Sequence, residues 1–162
     1  MEYSILKLIH IGALVFWLGP SLGAWLAFRA IVNMPISEST SRVNRLFYIM
    51  VTVEHIAFVG LLITGLMMAL QIGWLQAPWL QQKLFIVLLI VVPIEIVDIL
   101  LGNWLAAKSD QKKYAGEEMS SAEKRWLYLY HGPFTKLAMF TIPLSALTIM
   151  FLAVSKISIE LP

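Results

Sequence analysis

The chain has 162 residues, 59% of them hydrophobic and only 14% charged, with a net charge of +2 and no cysteine. A soluble domain is about half apolar and about a quarter charged, so this composition belongs with membrane proteins. The small charge, with no basic run, excludes nucleic-acid binding, and the missing thiols exclude disulfides, thiolate metal sites, iron–sulfur clusters and cysteine catalysis.

The first apolar run opens MEYSILKLIHIGALVFWLGP and continues to residue 28. It is too long for a signal-peptide core and lacks an Ala-x-Ala-like cleavage site, so it reads as a retained transmembrane helix over residues 3–28. Further apolar segments cover 47–72, 78–107 and 126–155, each long enough to cross about 30 Å of hydrocarbon. Pro93, Pro133 and Pro143 fall inside the last two, where a bundle tolerates kinks. The connection KSDQKKYAGEEMSSAEKR has almost no apolar face and reads as a solvated loop, at most with a short surface helix.

Loop charges predict the orientation. The first loop carries Arg29, Arg42 and Arg45, the third carries Lys108, Lys112, Lys113, Lys124 and Arg125, and the second has no Lys or Arg. The positive-inside rule then places loops one and three in the cytoplasm and both termini outside. Trp74 and Trp79 fall at the outer interface, Trp104 and Trp126 at the inner one. The predicted fold is all-α: one domain, 1–162, forming a transmembrane antiparallel four-helix bundle in a bacterial inner (plasma) membrane. The GPSLG spacing of Gly19 and Gly23 suits close helix contact, either within the bundle or across a homodimer.

Nine ionisable residues fall within the spans: Lys7, His10, Glu54, His55, Lys83, Glu95, Asp98, His131 and Lys136. Such residues are costly in hydrocarbon and mark functional sites. A rise of about 1.5 Å per residue groups them by depth. His10 and Lys83 share the outer half; Glu54, His55, Glu95, Asp98 and His131 share the inner half. Glu95, Asp98 and Gly102 line one stripe of the third helix, and His10, Leu14, Trp17, Ser21 and Ala24 line one stripe of the first. Lys7 and Lys136 are placed to snorkel to the nearest interface.

Three histidines in a cysteine-free helical bundle suit several chemistries. Haem b would take neutral imidazoles from facing helices, with His55 and His131 as an inner pair and His10 as a further ligand. A zinc, iron or manganese ion would suit His55, His131, Glu54 and Asp98, with His10 as a further nitrogen donor. A proton or ion path through Asp98 and Glu95 is a third use, and a structural membrane subunit a fourth.

Two stretches, KLIHIGALVFWLG and WLQQKLFIVLL, resemble the first- and third-helix segments of the HemJ-type protoporphyrinogen oxidases. The wider group includes copper-resistance D-type membrane domains. The resemblance implies that His10 ligates haem b and that Lys83 has a catalytic or supporting role beside it. It also implies a membrane oxidoreductase or electron-transfer role with a redox partner or quinone. In that family the last helix opens on an Asn-Glu-x-Pro-like stretch, where this chain reads YHGPF.

Overall fold

The computed structural model describes residues 2–157. Among them no strand occurs, and four helices are long and apolar enough to cross a membrane: α1 (Tyr3–Ile31), α2 (Glu38–Ile72), α3 (Pro78–Ala115) and α4 (Ser121–Ser155). Their outward faces are apolar. Val154 is 83% exposed, Phe140 71% and Leu8 70%, a distribution that suits a lipid surround.

Local chemistry fixes the ends. Ser37 starts α2 with a reciprocal capping box to Thr40, and Ser120 starts α4 with the same device to Glu123. Pro78 occupies the first turn of α3, where its missing N–H costs nothing. Gly73 and Gly116 end α2 and α3 with φ near +72° and +74°, the left-handed conformation that glycine adopts without a Cβ clash. Helices α2, α3 and α4 each extend beyond the apolar spans expected from sequence. Hydropathy registers only the part within hydrocarbon, whereas these helices continue as polar turns to their caps. The stretch expected as a solvated loop therefore begins as the last turns of α3, and within it Ser109 and Asp110 are each only 1% exposed.

Contacts between α1 and α2 run in opposite chain order: His10 meets Thr64, Ser21 meets Glu54, and Phe28 packs on Phe47. One apolar core layer is formed by Trp17, Phe58, Leu61, Val91, Ile142 and Ala146. A second contains Phe28, Phe47, Val51, Ala106 and Tyr130. Gly60 admits Ala13, and a Cβ at Gly65 would lie 3.2 Å from the His10 ring. Gly19 and Gly23 behave otherwise: both are exposed and a Cβ on either would meet nothing within 4 Å, so the two glycines of GPSLG make no close helix contact among the described residues. Its glycines lie on the side of α1 opposite the buried Trp17 and Ala24 positions.

Helix α3 widens into π-type turns at Val87–Val91 and Ile99–Ala106, and α4 does so at Tyr130–Phe134. The first precedes Pro93 and the third contains Pro133, residues that cannot complete the regular hydrogen-bond ladder. Such turns re-aim side chains and recur at functional sites. Glu95 and Asp98 lie between the two wide turns of α3, and Tyr130 and His131 lie in the one of α4.

Candidate functional site: a buried carboxylate–histidine cluster

Four side chains from two helices meet in the interior. From α3, Glu95 is 3% exposed and accepts a 2.8 Å hydrogen bond from the Trp17 indole N–H. From α2, Glu54 accepts at 2.8 Å from the Ser21 hydroxyl, and His55 sets Nε2 at 3.7 Å from Glu95 Oε2 and 3.9 Å from Asp98 Oδ2. The Tyr130 hydroxyl is directed at Asp98. Ser21, Glu54, Glu95, Asp98 and Tyr130 line a cavity of about 120 Å³, completed by apolar residues such as Leu18 and Ile142. Among the described residues no Lys or Arg lines it.

The Asn103 amide lies 3.3 Å from His55 Nδ1, and Nε2 of the same ring faces the Glu95 and Asp98 carboxyl groups. His55 Nε2, Glu95 Oε2 and Asp98 Oδ1 are buried and have no hydrogen-bond partner among the described residues. A buried polar atom without a partner is unusual and costs about 1–3 kcal/mol.

His131 is placed elsewhere. Its Nε2 lies 2.8 Å from Asp110 Oδ2, the same oxygen that accepts the Tyr48 hydroxyl at 2.7 Å, and its ring stacks on Phe28 at 4.0 Å. Since the Tyr48 proton is committed to Asp110, His131 Nε2 is the second donor to that oxygen. Tyr48 precedes His55 by seven residues on α2, about 10 Å along the axis. The inner group expected from sequence thus divides into a carboxylate–His55 cluster and a Tyr48–Asp110–His131 triad, with Tyr130 stacked over Tyr48 between them.

His10 and Lys83, grouped by depth in the outer half, make no described hydrogen bond or ion pair with each other. Lys83 is close enough to His10 for their charges to interact. His10 Nδ1 lies 2.9 Å from Thr64 Oγ1, and Thr64 gives its single proton to the Gly60 carbonyl at 2.6 Å. Nδ1 therefore donates, and Nε2 of His10 carries the lone pair.

Among the described residues no three His, Asp or Glu side chains are arranged to hold a metal ion. The cavity beside Glu54, Glu95 and Asp98, about 120 Å³, and one beside Lys83, about 220 Å³, are each below the roughly 300–1,000 Å³ of sites that enclose cofactor-sized ligands. Each of His55 and His131 turns one ring nitrogen to a polar neighbour, Nδ1 to Asn103 and Nε2 to Asp110.

Sequence reasoning did not identify Tyr48, Asn103, Asp110 or Tyr130 as partners. A signal was present: Gly102, Ala106 and Asp110 recur every four residues, carrying the inward stripe of α3 past the end of its apolar run. A scan against protein-family models finds no matching family, and searches of curated proteins and solved structures find no match. Fold and site together define a class: a multi-pass helical membrane protein with buried acids and histidines.

Proposed function

We propose that this protein binds and relays protons inside the membrane through Glu54, Glu95, Asp98 and His55, as part of a proton- or ion-coupled process. One observation carries the reading: three carboxyl groups share a cavity with no Lys or Arg among its described lining, and one oxygen each of Glu95 and Asp98 is buried and unpartnered. Carboxyl groups in hydrocarbon need a proton or a cation. The proton is the cation that suits donor atoms 3.7–3.9 Å apart with no metal-holding geometry among the described residues. From Asp98 the relay continues past Tyr130 and Tyr48 to the Asp110–His131 pair, near the polar turns that join α3 to α4.

The proposed setting is an antiparallel bundle in a bacterial plasma membrane with both termini outside, so the Asp110–His131 end meets the cytoplasm. Haem b on His10, with Lys83 beside it, is the second reading. The tautomer of His10 favours it, because Nε2 keeps its lone pair.

Infrared difference spectra between acid and alkaline buffer test the first reading. A carboxylic C=O band should change on titration and lose intensity in Glu54→Gln, Glu95→Gln and Asp98→Asn. Spectra unaffected by all three substitutions would sink the proton-relay reading. A Soret band that forms with hemin and disappears in His10→Ala would put the haem reading in its place, and stoichiometric zinc or manganese lost in His55→Ala would replace it with a metal site.

A further inference from the structure

A second cavity, about 220 Å³, lies where the second connection meets the first turns of α1 and the last turn of α4. Lys7 from α1, Lys83 from α3 and Lys156 just after α4 all line it, together with Tyr3, Trp74 and Trp79. Among the described residues no Asp or Glu lines it, and none of the three lysines makes an ion pair with a carboxylate. Lys83 differs from the other two. It is half-buried, one and a half turns inside α3, and none of the charged or titrating residues described around it, Lys7, Lys156, Tyr3 and His10, is a counter-ion.

Three ammonium groups around one cavity repel each other unless an anion sits between them. Their chemistry selects the anion. Lysine is a compact point charge with three donors, suited to phosphate oxygens rather than to planar bidentate recognition. The surroundings select the source. Trp74 and Trp79 pack edge to face at 5.5 Å, Lys156 stacks over Trp74 at 4.5 Å, and tryptophan and lysine in this combination belong at the level of lipid head groups. A cavity of this size has room for a phosphate and its bound waters.

We propose that the Lys7–Lys83–Lys156 cavity binds a phosphate-bearing anion, the head group of an anionic phospholipid. This site is separate from the proton cluster. His10 and the apolar layer of Trp17, Phe58 and Val91 lie between them.

The test uses the whole protein in detergent micelles, with brominated phosphatidylglycerol or brominated phosphatidylcholine as quenchers of tryptophan fluorescence. Wild-type protein should be half-quenched at a several-fold lower mole fraction of the anionic lipid. Lys83→Gln should abolish that preference, Lys83→Arg should keep it, and Lys7→Gln/Lys156→Gln should weaken it. Thermal melts of each variant confirm folding. Inorganic phosphate that relieves the quenching identifies the same site as one for free phosphate esters. Equal quenching by both lipids together with no effect of phosphate overturns the proposal, as does a preference that survives Lys83→Gln. A preference for the anionic lipid that appears only in Glu160→Gln also overturns it, because the anion would then be the chain's own carboxylate.

Discussion

The hydrogen bond from Trp17 to Glu95 joins α1 to α3 inside the membrane, and its strength can be worked out before it is measured. Both residues are nearly inaccessible, at 4% and 3% exposure, and the N···O distance is 2.8 Å. Trp17→Phe keeps an aromatic ring but removes the only described donor to Glu95 Oε1. Because Oε2 already lacks a partner, the whole carboxyl group is left unsatisfied. Leaving a buried polar group unpaired costs about 1–3 kcal/mol in soluble proteins. Interhelical hydrogen bonds in membranes average only about 0.6 and reach about 1.7 kcal/mol, since the unfolded chain also finds partners in lipid. Glu95 has no alternative described donor within reach other than His55, 3.7 Å away, so the coupling should fall near the upper end, about 1–2 kcal/mol. A double-mutant cycle isolates it: Trp17→Phe, Glu95→Leu and the pair, each unfolded with SDS in mixed micelles and followed by circular dichroism. The double variant should be less destabilised than the sum of the singles, because removing both partners leaves nothing unpaired. A coupling below about 0.3 kcal/mol, within the usual additivity error, would refute the claim that Trp17 satisfies Glu95.

Other consequences are equally specific. Gly102→Ala places a Cβ 2.7 Å from the Tyr130 ring and hydroxyl, and should destabilise the protein by about 1–3 kcal/mol in the same SDS titration. Asp110→Ala leaves both Tyr48 and His131 without their acceptor and should cost about 2–4 kcal/mol, whereas Asp110→Asn, which keeps an acceptor oxygen, should cost less than half of that. Ser120→Ala removes the capping box of α4 for about 1 kcal/mol, read as a drop of a few degrees in melting temperature. The absence of native cysteine makes orientation easy to test: Glu118→Cys, in the polar connection between α3 and α4, should be blocked by a membrane-impermeant maleimide only in inverted vesicles, and Gln76→Cys only in right-side-out cells.

The four spans were legible because hydrocarbon demands long apolar helices, and because that demand leaves its mark in composition alone. The two inward stripes were legible for a related reason. In a lipid-facing chain a polar residue has only the interior to occupy, so Trp17, Ser21, Glu95 and Asp98 reveal the buried face directly. Asp110 was not legible as a buried residue. It sits in KSDQKK, where neighbouring lysines suggest solvent, and only the fold shows that α3 continues with this polar residue turned inward to Tyr48 and His131. Likewise, adjacent residues on a helix point about 100° apart, so Glu54 and His55 could not be assigned neighbours from sequence. The structure gives Glu54 to Ser21 and His55 to Asn103.

The same physical rule explains why the histidines separate rather than converge. Each imidazole in the interior has two nitrogens to satisfy, and each has found a different helix pair: His10 with Thr64 between α1 and α2, His55 with Asn103 between α2 and α3, His131 with Asp110 between α4 and α3. Three such bonds at three depths hold the four helices in register, which apolar packing alone does weakly in lipid because lipid tails compete equally for apolar surface. At His55 the remaining nitrogen, Nε2, instead lies 3.7 Å from Glu95 Oε2 and 3.9 Å from Asp98 Oδ2, with no hydrogen-bond partner among the described residues. His10 and His131 each fasten one helix to another through a single ring nitrogen. At His55 the bonding is incomplete, and it is there that a proton changes the number of satisfied groups.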